Sequence, residues 1–105
     1  MVDESTIAEA GRRIHAAAPD ARVILFGSCA RRTEVDRLSD VDLLVIEPEV
    51  RDPTEESVRL RRTLRGLGVP VDVIVVDEER ARRRAAVPGT LVERALREGR
   101  VLVGA

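Results

Sequence analysis

The sequence predicts an α+β fold, a mixed β-sheet with helices packed on one face, and three observations lead to it. Apolar runs at 22–26 (RVILF), 41–46 (VDLLVI) and 70–76 (PVDVIVV) have the length of strands, and helical-period segments separate them. VDLLVI and VDVIVV share one pattern, an Asp in second place followed by four apolar residues. The stretch 47–69 between them carries a capped helix, long enough for the crossover that a parallel pair requires.

Residues 3–18 read as the first helix, with Ile7, Ala10, Ile14 and Ala17/Ala18 at helical spacing and Pro19 just beyond. His15 lies beside that stripe and reads as a partly buried packing residue. The first strand, 22–26, ends at Gly27, and residues 28–34 read as a turn opening a short helix, followed by a polar loop to Ser39. The second strand, 41–46, is stopped by Glu47-Pro48. Asp52-Pro53-Thr54-Glu55 starts a helix, with Asp as N-cap, Pro in first position and Glu completing a capping box. That helix is expected to run to about Leu67 with Leu60, Leu64 and Leu67 on one face, closed by Gly66 and Gly68. After the third strand, Arg80, Arg82, Arg83 and Arg84 crowd a short helical segment, read as a solvated face or as a surface for an acidic partner. A last helix, about 89–98, packs Leu91, Val92, Ala95 and Leu96 and ends at Gly99. VLV at 101–103 adds a short edge strand.

Composition sets the outer limits. The 105 residues are expected to form a single domain over 1–105, and a 44% hydrophobic content suffices for a core built from Val, Leu, Ile and Ala, since Phe26 is the sole aromatic. A formal net charge of −1 gives no electrostatic pull toward nucleic acid or an anionic membrane. All 18 basic residues are Arg, so the chain has no Lys for a Walker-type phosphate loop or a receiver-type phosphorylation site. Lone Cys29 excludes an internal disulfide, and no Cys/His metal spacing exists. His15, the single His, leaves no base for a nucleophilic Ser or Cys. Without an apolar leader or a long apolar span, the expected location is cytoplasmic.

The chemistry concentrates in carboxylates. Residues i and i+2 of a strand share a face, so Asp40 and Asp42 project together. If the second and third strands run parallel as neighbours, Asp42 and Asp72 come side by side. Gly27-Ser28 sits at the C-terminal end of the first strand, so it meets the Asp pair only if strands one and two are antiparallel. Three carboxylates this close repel one another unless a divalent cation joins them, and an all-oxygen set suits Mg²⁺ or Mn²⁺. Gly27 lets a ligand approach the backbone, while Ser28 and nearby amides suit phosphate.

The segment GSCARRTEVDRLSDVDLLV, followed by PVDVIVVD, resembles the minimal nucleotidyltransferases of the DNA polymerase β-like superfamily. The resemblance covers the whole chain, including the closing RALREGRVLV, and implies the small nucleotidyltransferase fold. It implies that Asp40 and Asp42 hold two Mg²⁺ ions, with Mn²⁺ as a substitute. Asp72 would complete the acceptor-side metal and help deprotonate the attacking hydroxyl. Gly27 and Ser28 would bind the β- and γ-phosphates of ATP, with Arg31 supporting the triphosphate or its loop. Arg32 stands where similar sequences often have Gly, and the spacer before Asp40 is slightly long. Family members of this size are commonly encoded beside a HEPN-domain ribonuclease toxin, and some act as antitoxins by attaching AMP to its tyrosine. The partners implied are therefore a nucleoside triphosphate and a HEPN-domain protein, with a homo-oligomer left open and neither nucleic acid nor membrane expected.

Two rival functions stand beside nucleotidyl transfer. One is a non-catalytic antitoxin that masks its partner, which an Asp40→Ala/Asp42→Ala variant would leave active. The other is a transferase acting on a small molecule, which would need more chain for substrate recognition.

Overall fold

A computed structural model of the protein describes residues 3–27 and 41–104. In chain order the elements are α1 (Glu4–Ala17), β1 (Arg22–Phe26), β2 (Val41–Glu47), α2 (Pro53–Arg62), β3 (Val71–Asp77), α3 (Glu78–Ala85), α4 (Leu91–Glu98) and β4 (Arg100–Val103). No helix among the described residues is long and apolar enough to cross a membrane.

Local chemistry sets most of the boundaries. Asp3 caps α1 by accepting from the Thr6 amide at 2.9 Å, and Asp52 caps α2 by accepting from the amides of Thr54 and Glu55. The α2 helix stops at Arg62, short of the expected Leu67. Beyond it the backbone tightens into i+3 bonds (Thr63 to Leu60, Leu64 to Arg61, Leu67 to Leu64), and the Thr63 hydroxyl donates to the Leu60 carbonyl at 2.6 Å. Leu64 is still buried and Leu67 still packs on the core, so the leucine face survives the loss of helix. His15 is exposed rather than partly buried.

The sheet order is β3-β2-β1-β4. β1 runs antiparallel to β2 and to β4, while β2 and β3 run parallel, so the mixed sheet and its strand directions are as expected. The helices, however, do not share one face. Ile7, Ala10 and Ile14 of α1 and Leu60 of α2 pack on Val23, Leu25, Val41, Leu43, Val45, Val73 and Val75. Ala81 of α3 and Val92 and Ala95 of α4 pack on Ile24, Leu44, Ile46 and Val76. Neighbouring strand residues point to opposite faces, so the two clusters lie on opposite sides of the sheet. The reason is in β2 itself: Leu43, Leu44, Val45 and Ile46 are fully buried in succession, and four consecutive apolar residues need cover on both sides.

Gly99 lets the chain turn from α4 into β4 against the sheet. A side chain there would sit 2.7 Å from the Leu25 carbonyl oxygen of β1. This close passage holds α4 across the end of β1, where it walls the site.

Candidate active site

The strand registers place three residues in one row across the sheet. Phe26, the last residue of β1, is the partner of Asp42 in β2, and Asp42 is the partner of Asp72 in β3. Adjacent strands lie about 4.8 Å apart, so the two aspartates are immediate neighbours. Both share the strand parity of Leu44, Ile46, Ile74 and Val76, which directs them to the face covered by α3 and α4. Asp42 is half-buried and Asp72 exposed.

Gly27 completes the described corner. Its φ is +79°, and a Cβ built there would stand 2.5 Å from Asp42 Oδ2. The Asp42 carboxylate thus occupies the space that a side chain at 27 would need. Asp40, Ser28 and Arg31, the other expected site residues, lie outside the described residues.

A cavity of about 270 Å³ opens beside this corner, lined by Phe26, Gly27 and Asp42 from the sheet and by Leu91, Arg94, Ala95 and Glu98 from α4. Its wall is mixed: Phe26, Leu91 and Ala95 are apolar, while Arg94 and Glu98 bring one charge of each sign. Asp72, one strand further out, is not among the lining residues. A larger cavity of about 690 Å³ lies around residues 49–62, at the start of α2. It follows the C-terminal end of β2 and contains none of the expected site residues, so its size carries no claim on the chemistry.

That far end has its own electrostatics. Burial pushes the Glu47 carboxyl up to about 7, reinforced by a hydrogen bond with Glu56 and by its charge. Glu56 is held well below the usual range by its hydrogen bond from Arg59, whose Nη2 donates to Oε2 at 2.7 Å. One Glu47 oxygen is buried without a hydrogen-bond partner. Below about pH 7 Glu47 and Glu56 therefore share one proton, as two carboxylates at close quarters do.

As a metal site, the described corner supplies two carboxylates, and no group of three His, Cys, Asp or Glu among the described residues is placed to hold an ion. All-oxygen donors suit Mg²⁺, and the third expected ligand, Asp40, is among the residues not described. The match to known families is decisive at a coarser level. The family model described as a nucleotidyltransferase domain matches residues 5–102, nearly the whole chain. The protein belongs to the nucleotidyltransferase domain family. No curated protein matches it in sequence.

Nucleotidyl transfer is accordingly the general chemistry of this nucleotidyltransferase domain, within the DNA polymerase β-like superfamily that its motifs resemble. Sequence reasoning missed the α4 wall of the cavity. Leu91, Arg94, Ala95 and Glu98 follow the i, i+3, i+4, i+7 spacing of one helix face, and that spacing was the available signal. From the sequence alone Leu91 and Ala95 read as packing residues, and Arg94 and Glu98 as the polar members of the same face.

Proposed function

We propose that this nucleotidyltransferase domain transfers AMP from ATP to a hydroxyl carried by a partner chain, a tyrosine of a HEPN-domain toxin, and acts as its antitoxin. The single observation that carries the catalytic reading is the side-by-side register of Asp42 and Asp72 against side-chain-free Gly27, next to a cavity.

In the proposed reaction the acceptor oxygen attacks the α-phosphorus of ATP. A new O–P bond forms, the bond from the α-phosphorus to the bridging oxygen breaks, and pyrophosphate leaves with that electron pair. Asp72, exposed at the open side of the row, takes the hydroxyl proton. Asp42, beside it, would act as a metal ligand rather than as a direct phosphate contact, and Gly27 keeps the space for its carboxylate free. Gly27 and Ser28 bind the β- and γ-phosphates, and Arg31 supports the triphosphate or its loop. The apolar wall of Phe26, Leu91 and Ala95 suits a nucleobase. Asp40, Asp42 and Asp72 would hold Mg²⁺, which when bound neutralises charge on the phosphates and lowers the acceptor's pKa.

The test is transfer of label from α-labelled ATP, with Mg²⁺, to a candidate partner. Asp72→Asn should lower transfer by about 100-fold or more while the protein stays folded, as expected for loss of a proton acceptor. Asp42→Asn should abolish it. Unchanged transfer in Asp42→Asn would remove the site assignment.

A further inference from the structure

Each of the other helices neutralises at least one arginine with a glutamate of its own, whereas α3 neutralises none. On α1, Arg12 and Arg13 both pair with Glu9; on α2, Arg59 pairs with Glu56; on α4, Arg97 pairs with Glu93. Each of these ion pairs joins residues three or four apart, the spacing at which opposite charges support a helix. On α3 Arg80, Arg83 and Arg84 stand at i, i+3 and i+4 on one face, and although Glu79 stands four residues before Arg83 no ion pair joins them. Glu78, which opens the helix, is taken by Arg22 of β1, with Nη2 donating to Oε2 at 3.0 Å. Arg80, Arg82, Arg83 and Arg84 make no ion pair among the described residues. Such clustering destabilises the helix, an effect only partly offset where the cations face the negative end of its dipole.

The cluster also borders the candidate active site. Arg80, Arg83 and Arg84 line a cavity of about 390 Å³ with Val87 and Thr90. The next residue, Leu91, lines the cavity that Asp42 borders. The two cavities therefore flank the start of α4. Val87 and Leu91, 52% and 41% exposed, supply apolar surface beside the arginines.

We infer that this α3–α4 face docks the protein that brings the acceptor hydroxyl, and that the docked segment is acidic. The inference rests on the nucleotidyl-transfer reading above for the use of the hydroxyl, but not for the binding. Three unpaired guanidinium groups on one face recognise carboxylates. The apolar residues beside them suit a peptide rather than a bare polyanion. Nucleic acid fits less well: no aromatic side chain stands in the face to stack bases, and the chain carries a net charge of −1.

The probe is a random copolymer of glutamate and tyrosine, with a lysine–tyrosine copolymer and a short single-stranded RNA as comparisons. Binding is measured by fluorescence anisotropy without ATP, and AMP transfer separately with labelled ATP and Mg²⁺. The full chain should bind the acidic copolymer in preference to both others. The Arg80→Glu/Arg83→Glu/Arg84→Glu variant should weaken that binding by about tenfold or more, mainly through lost charge attraction. The milder Arg80→Gln/Arg83→Gln/Arg84→Gln variant, which keeps good helix formers, should weaken it less but in the same direction. Reversing Arg61, Arg62 and Arg65, beyond the other face of the sheet, should leave it unchanged. Equal loss in that control, no binding by the wild type, or tighter binding of RNA through the same arginines would each overturn the proposal. Because binding is read without ATP, an Asp42→Asn protein that binds the copolymer but transfers nothing keeps the docking face. If the wild type binds the copolymer without transferring AMP to it, the docking face stands, and the catalytic reading is decided by transfer to the candidate partner.

Discussion

Gly27 shows what one residue without a side chain contributes at a site. Its φ of +79° already disfavours any L-residue, and the space over its α-carbon holds the Asp42 carboxylate. Gly27→Ala should therefore carry two penalties: about 1–2 kcal/mol of backbone strain, and displacement of Asp42. Gly66 provides the contrast, with φ +86° and nothing within 4 Å of the added methyl. Gly66→Ala should lower thermal stability by a similar backbone amount and leave nucleotidyl transfer near wild type, whereas Gly27→Ala should lose transfer as well. Equal activity in the two variants would show that the Gly27–Asp42 contact has no part in the chemistry. At this scale the sequence was informative about Asp42, Asp72 and Gly27. Each sits at a strand end, where period-two alternation and strand direction alone fix its neighbours. Arg94 shares the helical spacing of Leu91, Ala95 and Glu98, but its relevance depends on where α4 lies, which that spacing does not give.

Among the elements, α4 joins sequence to function least directly. Thr90 starts it: the Thr90 hydroxyl oxygen accepts from the Glu93 amide at 3.2 Å, while Glu93 Oε1 accepts from the Gly89 amide at 3.0 Å. This reciprocal cap fixes the first turn, from which Leu91 and Arg94 reach the cavity. Thr90→Ala should cost about 1 kcal/mol of stability and, by loosening that turn, raise the KM for ATP more than it lowers kcat. Thr90→Ser, which keeps the acceptor oxygen, should restore both. A kcat loss at unchanged KM would place α4 outside nucleotide binding. The existence of α1, α2 and α4 was readable from caps and helical spacing. The layer each occupies was not, because amphipathic spacing marks a buried side without saying which face of a sheet it meets. The one available sign was the unbroken LLVI run of β2, whose two-sided burial requires helices on both faces. The early end of α2 escaped for a different reason: side-chain bonding by Thr63 competes with the helix, and leucine spacing does not register it.

Across the whole molecule, β2 links two carboxylate pairs of opposite character: Asp42 and Asp72 near one end, Glu47 and Glu56 at the other. The second pair makes global stability depend on pH in a calculable direction. Glu47 has an ordinary value of 4.5 and is raised to about 7 in the folded protein, first by burial. Between those values the folded chain holds a proton that the unfolded chain has released, so stability falls as pH rises through that window. Glu56 is lowered, first by its hydrogen bond from Arg59, so its contribution is present above pH 4.5 and is lost as pH falls below it. Together they place maximal stability from this pair near the ordinary glutamate value, with a decline toward neutrality. Because Glu47 is partly accessible to water, the decline should be about 1–2 kcal/mol, less than the full shift would give. Glu47→Gln offers the Glu56 carboxylate an amide donor in place of the shared proton and cannot ionise. Urea midpoints should therefore fall between pH 5 and pH 8 in the wild type and stay level over that range in Glu47→Gln, making the variant the more stable protein at pH 8. If the two curves run parallel, the shared proton is not what sets the slope. AMP transfer serves as the internal control, since Glu47 lies five residues along β2 from Asp42 and the substitution should leave transfer at pH 7 intact.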